Sequence, residues 1–520
     1  MSVVTMSERD LESEQEVPDA PIGLSVPPLE QLAPYSPWET STAFSKRRQT
    51  LAVFIVTIAS ILNGTSIGYS GPAVPLLLNP VSTNIYGGFL TLDVQDVSWI
   101  TAIMSLGCFF GCIVSGPIMD KIGRKPTLML VTTGLFVLGY LLIFLAPNIG
   151  TLLAGRFFTG SGLGFAIASS TVYLVEVTSS DMRGVLGCFV QLQGTLGVLF
   201  TFAMGTFLDW YFLALANLCF VAPLVIGMLF VPETPRWLIL QGQDEEAKAS
   251  LEWFRGRENQ ELIFLEIENI KCGIEFGQMT RVTLADLKEA WKPSAICLGL
   301  MFLAQFCGLS TLVFYTVSIF QLARSSLDPR VASVLVGITL FLSSCLTLIV
   351  VPKFNRRLIL LISILGMTLG MIVLGICLHF IEQTPPDQPL TSVLKWLPVT
   401  TVILALFIGN GGFGTLVWIV MAEILPPKVR SLVTSLSICF GFLMGFVVSK
   451  TFVDLAEAIN ISGTFWLYGV INFLSMIVLG WVLPETRNRT IEQIQKKFTR
   501  SYTKFMVPHQ EDYEELVSYS

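Results

Sequence analysis

The sequence predicts an all-α polytopic membrane protein, with twelve transmembrane helices in two six-helix halves and a cytoplasmic helical segment between them. Three observations predict this. Twelve apolar stretches of about 20 residues recur along the chain, the length a helix rising ~1.5 Å per residue needs to cross ~30 Å of hydrocarbon. Only 13% of residues are charged and 52% are hydrophobic, and the mean hydropathy of +0.68 suits lipid as solvent. The stretches fall six and six about a charged segment running from Pro232 to Pro293.

The first half, 51–231, holds spans at 51–71, 96–116, 126–146, 151–172, 185–206 and 213–231. The second, 294–483, holds spans at 294–316, 331–351, 358–380, 397–422, 432–452 and 463–483. Residues 1–50 form a tail, acidic from Glu8 to Glu16 and then proline-rich, which reads as disordered and not as a signal peptide. Residues 232–293 form the linker, in which Asp244–Glu246 and Thr283–Asp286 start short amphipathic helices, and 484–520 form a C-terminal tail.

Basic residues set the orientation. Lys46, Arg47, Arg48, Lys121, Arg124, Lys125, Arg183, Lys353, Arg356, Arg357, Lys428, Arg430, Arg487 and Arg489 fall on one side of the spans. The other side has Arg324, Arg330 and Lys395, so both termini and the linker are expected to be cytoplasmic. Asn460-Ile461-Ser462 is a glycosylation sequon on the outer side, too near the membrane to be used.

Composition also excludes classes. With only His379 and His509, histidine chemistry has almost no raw material, and the ten cysteines are scattered through apolar helices as packing residues. No nucleophile–base pair, phosphate loop or metal cluster stands out, so neither an enzyme nor a cofactor is expected. The net charge of -6 resides largely in the tails, and nothing suggests nucleic acid. The expected partners are the bilayer and a small neutral solute.

Glycines concentrate in certain spans: Gly155, Gly160, Gly162 and Gly164 in the fourth, and Gly409, Gly411, Gly412 and Gly414 in the tenth. Small residues let helices approach closely and loosen them where they must bend. The loop Gly116-Pro-Ile-Met-Asp120-Lys121-Ile-Gly123-Arg124-Lys125 recurs six spans later as Pro352-Lys353-Phe-Asn355-Arg356-Arg357. Such a recurrence implies two related halves with a substrate site between them at the membrane midplane.

With these motifs the chain resembles the sugar porter family of the major facilitator superfamily. The first loop matches the superfamily pattern. More specific are Pro232-Glu233-Thr234-Pro235-Arg236-Trp237 after span six and Pro484-Glu485-Thr486-Arg487 after span twelve, with Gly155-Arg156, Glu176, Arg183, Gln191, Glu423 and Arg430. Trp253-Phe254-Arg255-Gly256 and Gly68-Tyr69-Ser70-Gly71-Pro72 look closest to facilitated trehalose and hexose transporters of animals.

The resemblance implies a salt-bridge network between the halves at the cytoplasmic helix ends, favoured in the outward-open state and broken in the inward-open one, formed by Asp120, Arg124, Lys125, Glu176, Arg183, Glu233, Arg236, Arg356, Arg357, Glu423, Arg430 and Glu485. It implies a sugar site at Gln191, Gln305, Ser310, Phe314, Tyr315, Asn410 and Trp418. Amides both donate to and accept from hydroxyls, and an aromatic face packs on a sugar ring. The second half departs from the family. Gln-Gln-Leu-Ser-Gly-Ile-Asn of span seven stands here as Ala304-Gln305-Phe306-Cys307-Gly308-Leu309-Ser310, and Leu340 replaces an asparagine. Pro-Ile-Pro of span ten is Thr415-Leu416-Val417, Asn-Trp of span eleven is Gly441-Phe442, Thr171 replaces a proline, and Pro352 replaces the acid of the second loop. Proton-coupled members carry an aspartate where this chain has Ser70. The expectation is a facilitator (uniporter) of a hexose or trehalose-like sugar at the plasma membrane, working by alternating access. The alternatives are a carrier of another small neutral solute and a non-transporting sugar sensor on the same fold.

Overall fold

The computed structural model describes residues 43–79, 83–88, 92–257, 260–279, 282–325, 327–351, 353–385, 387–388, 390–487, 493–494 and 498. The acidic stretch Glu8–Glu16, Pro352, Arg489, His509 and the tail after Phe498 lie outside them. The described residues are overwhelmingly helical.

Eleven helices are long and apolar enough to cross a membrane: Phe44–Leu77, Val94–Ile122, Arg124–Phe144, Ile149–Val177, Met182–Met204, Trp210–Leu229, Trp291–Phe314, Pro329–Val350, Arg356–Gln383, Ser392–Ile424 and Lys428–Val482. The last is 55 residues long, nearly twice what a bilayer needs. Ile459 (φ -125°, ψ 15°) and Asn460 (φ 62°, ψ 163°) break it, so it supplies spans eleven and twelve. The positive φ at Asn460 is one that side chains rarely adopt, and it turns the chain out of the helix there. The chain is thus a multi-pass integral membrane protein. Several helices outrun their apolar stretches. Span two begins at an Asp93–Asp96 capping box and runs to Ile122, because a helix need not stop where the hydrocarbon does.

The core has three parts. One lies within spans one to six, around Tyr69, Phe136, Tyr140 and Trp210. A second lies within the last six, around Leu300, Phe413, Met421 and Leu479. The third, around Val74, Val97, Phe202, Phe314, Val448 and Phe452, draws side chains from both halves at the end away from the linker, the far face.

The linker folds into helices Pro235–Leu240, Asp244–Arg255, Gln260–Met279 and Leu284–Glu289. In Asp244–Arg255 the apolar residues Ala247, Leu251 and Phe254 are buried. Arg255 grips Glu266 with two nitrogens at 3.0 and 3.2 Å and donates to the Val177 carbonyl ending span four (3.1 Å). Arg48 lies 4.8 Å from the Trp253 ring, and Ser45 donates to the Phe254 carbonyl (3.0 Å). These contacts moor the first linker helices to the first half. Thr283 caps Leu284–Glu289 in a capping box with Asp286, whose carboxylate also holds Lys428 at 2.9 Å. Of Leu284, Leu287 and Trp291, which periodicity places on one face, Leu287 packs against the second-half core, while Leu284 and Trp291 are 81% and 60% exposed.

Candidate functional site

Spans seven and ten are not continuous α-helices, and their breaks shape a cavity between the halves. In span seven the helix Trp291–Phe306 stops, Gly308 turns left-handed (φ 83°), and Leu309–Phe314 continues. A side chain strains at that φ, and a Cβ there would lie 2.4 Å from Met371 Cε. The break frees the Cys307 carbonyl, which accepts from Asn472 Nδ2 of span twelve (3.0 Å). In span ten, Asn410–Gly414 forms a π-helical turn, a feature frequent at functional sites. Gly412 seats that turn on span nine, where a Cβ would fall 1.8 Å from Ser363 Oγ.

The cavity holds about 160 Å³. Gln191 of span five faces it from the first half, and Gln305, Asn410 and Trp418 face it from the second. Met301, Leu309, Phe413 and Val417 complete an apolar wall on the second-half side, and composition alone gave no sign of them. Gln191 Nε2 donates to Asn410 Oδ1 across the halves (3.1 Å), while Ser310 Oγ lies 3.5 Å from Gln305 Oε1. Five of the residues expected at the sugar site are therefore together. Phe314 and Tyr315 are not. Both are buried in the far-face core, and Tyr315 Oη bonds Thr101 Oγ1 of span two (2.9 Å) and the Ser449 carbonyl (3.4 Å). Both lie further along span seven than Ser310, where they meet the far-face ends of the neighbouring spans.

In this conformation the ion pairs of the motif residues on the linker face join helices within each half. Arg124 pairs with Glu176 (3.0 Å) and Asp120 (3.6 Å), all in the first half. Arg356 pairs with Glu423, both in the second. Glu233 accepts from the backbone N–H of Lys125 (2.9 Å) at the start of span three, while Lys125 Nζ donates to the Val231 carbonyl (2.8 Å). Glu485 repeats the device, accepting from the N–H groups of Arg356 (3.1 Å) and Arg357 (3.2 Å) at the start of span nine. A carboxylate at a helix N-terminus satisfies donors that have no partner within the helix. Burial nonetheless pushes the Glu233 carboxyl above the usual carboxylate range. Arg183 and Arg430 bond backbone carbonyls, of Val175 and Thr178 and of Leu425, rather than the expected glutamates. Arg357 donates to the Gly480 carbonyl, and Arg236 is exposed.

Arg156 of span four is wholly buried. It donates to the carbonyls of Ile100 (3.3 Å) and Ser66 (2.9 Å) and to Ser70 Oγ (2.8 Å), with the Tyr69 ring 5.2 Å away. Carbonyl and hydroxyl oxygens do for this cation what water would do outside the membrane.

The halves meet tightly on the far face. Lys450 donates to Gln95 Oε1 (2.9 Å), and Gln95 Nε2 donates to Asp454 (2.8 Å), tying span two to span eleven. The seams widen toward the linker face. On span two, Ser105 Oγ lies 3.5 Å from where a Gly445 Cβ would stand. Gly116 lies three turns further along the same helix face, and a Cβ there would meet nothing within 4 Å. On span five, Thr195 touches Ser344 of span eight (3.2 Å), whereas Gly184, three turns nearer the linker, faces open space. The cavity is closed on one side of the membrane and approached from the other.

Comparison with known proteins agrees with this geometry. The family described as "Sugar (and other) transporter" matches residues 52–498. The chain is 35% identical over 452 residues to the facilitated trehalose transporter Tret1-1 of Drosophila sechellia, covering 86% of this chain and 52% of that protein. It thus spans about half the length of this relative. It is 34% identical to the facilitated trehalose transporter Tret1-2 homolog of the same species, covering 90% of that protein. In fold it is similar to the inward open conformation of the xylose transporter XylE from E. coli, with a TM-score of 0.70, 20% identity, and coverage of 86% of this chain and 99% of that one. The amide-lined cleft, the paired motif loops and a family match running from span one past span twelve lead to one conclusion: this chain belongs to the sugar (and other) transporter family.

Proposed function

We propose that the protein is a facilitative carrier of a neutral sugar that works by alternating access. The observation that carries this reading is the amide-lined cavity between the halves, where Gln191, Gln305 and Asn410 supply donors and acceptors beside the Trp418 ring. A polyhydroxylated solute needs both kinds of partner at once. Relatives named as facilitated trehalose transporters support a sugar as cargo. The linker face is cytoplasmic, as are both termini, because the basic loops lie there, and the plasma membrane is the proposed address. In this conformation the cavity is then open to the cytoplasm.

Uniport is supported by Ser70, whose hydroxyl stands on the buried Arg156 where a proton-carrying acid would be needed. The Met301, Leu309 and Val417 wall favours a less polar surface of the solute on the second-half side.

Counterflow of labelled D-glucose, trehalose and less polar polyols into proteoliposomes tests the reading. Saturable exchange without accompanying proton movement is expected, and Gln191→Ala should abolish it. Absence of exchange with every solute would leave the sensor reading standing. Proton entry in step with sugar would overturn uniport.

A further inference from the structure

Asn410 is fixed in one orientation by groups outside the cavity lining. Its Nδ2 donates to the Leu340 carbonyl (3.2 Å) and to Ser344 Oγ (3.1 Å), both in span eight. Ser344, 3% exposed, donates in turn to the Leu340 carbonyl (3.0 Å) and lies 3.2 Å from Thr195 Oγ1 of span five, whose proton has a nearer acceptor in the Leu192 carbonyl (2.9 Å). Both amide protons of Asn410 are thus used on the second half, which obliges Oδ1 to point at Gln191 Nε2. Thr195 and Gln191 lie four residues apart, on one face of span five. One helix of the first half therefore touches the second half twice, once through the cavity amide and once through the hydroxyl that orients it.

We propose that Ser344 is a positioning residue of the solute site. It holds the Asn410 amide so that it presents an acceptor to the cavity, and it makes the Gln191–Asn410 bond the bridge that an arriving hydroxyl replaces. The assignment rests on the proposed carrier function. Its chemistry is specific. A hydroxyl that accepts from Gln191 Nε2 and donates to Asn410 Oδ1 substitutes for the bridge without leaving a donor or acceptor unpaired. An ether or fluoro substituent at that hydroxyl can accept but not donate, so it leaves Asn410 Oδ1 unpaired. Leu340 takes part through its backbone, which explains how a side chain with no hydrogen-bonding group can occupy this place in span eight.

The experiment is counterflow of labelled D-glucose by full-length wild-type, Ser344→Ala, Ser344→Thr, Asn410→Ala and Ser344→Ala/Asn410→Ala proteins. Loss of one hydrogen bond that orients the amide is expected to raise KM about five-fold in Ser344→Ala with little change in maximal rate. Ser344→Thr restores the wild-type KM, and Ser344→Ala has no further effect in an Asn410→Ala background. A KM in Ser344→Ala within two-fold of wild type (roughly the lower limit for one hydrogen bond), a fall in maximal rate alone, or an additive double variant overturns the proposal. The same four-variant cycle is read by thermal unfolding without solute. If wild type exchanges another of the solutes tested above and not glucose, that solute takes the place of glucose in the cycle; if it moves none of them, the carrier reading fails. The proposal is then judged by the unfolding cycle, where coupling between positions 344 and 410 supports it and additivity overturns it.

Discussion

At the scale of single residues, the inventory of polar groups in an apolar span is what separates packing from chemistry. Arg156 is satisfied by two carbonyls and the Ser70 hydroxyl, so removing that hydroxyl leaves a buried guanidinium N–H without its acceptor. Ser70→Ala should lower the unfolding free energy by about 1–3 kcal/mol, measured by thermal unfolding in detergent. Gly308 carries a different constraint. Gly308→Ala must hold φ 83° and push Met371 aside, so we expect about 1–3 kcal/mol of destabilisation together with weaker solute binding, because Gln305 and Leu309 flank the turn. An alanine variant with wild-type stability and KM would show that span seven can straighten at no cost. The glutamines were legible in the sequence because an amide among apolar residues demands a partner. Asn472 raised the same demand, and its partner, the carbonyl freed at Cys307, exists only because the helix breaks.

At the scale of elements, the two Pro-Glu-Thr motifs cap the helices that begin each repeated loop. Glu485 accepts N–H groups from Arg356 and Arg357 and from its own neighbours Thr486 and Arg487. Glu485→Gln presents an NH₂ where an acceptor is needed, and it should destabilise the second half by about 1–2 kcal/mol. Glu485→Asp, with a shorter reach, should recover only part of this in the same unfolding assay. The linker offers a pH test. Asp286 is held down at about 2, first by the Thr283 backbone N–H and then by the Lys428 ammonium. A carboxyl depressed on folding stabilises above its unfolded pKa and loses that contribution as pH falls through the folded one. The stability difference between wild type and Asp286→Asn should therefore stay constant from about pH 8 to about pH 5 and shrink below about pH 4. A difference that fell away between pH 7 and pH 5, by roughly the histidine range, would show that another group controls this joint.

At the scale of the whole molecule, far-face closure is held by the shared apolar core and by the Gln95–Lys450–Asp454 cluster, with Lys450 also 5.3 Å from the Trp99 ring. Because these contacts need the halves together on that side, they stabilise the state open on the linker face. Lys450→Met should shift the population toward the opposite state by a factor of about 2–5, as suits one partly exposed charged contact. Spin-label distances across the far face of a cysteine-free background would record it, and an unchanged distribution would assign the closure to the apolar core alone.

Sequence by itself determined the twelve spans, the repeat and the family, because lipid allows few backbone solutions and apolar length reports them directly. It also picked out Gln191, Gln305, Asn410 and Trp418, whose chemistry is unusual wherever they sit within a span. Tertiary structure alone decided which partner each charged residue took. In this conformation Arg183 and Arg430 found backbone carbonyls and Arg124 found Glu176, since a side chain bonds what the packed helices bring within about 3 Å. It decided too that Tyr315 joined the far-face core, because packing brings its hydroxyl to Thr101 of span two and the Ser449 carbonyl of span eleven.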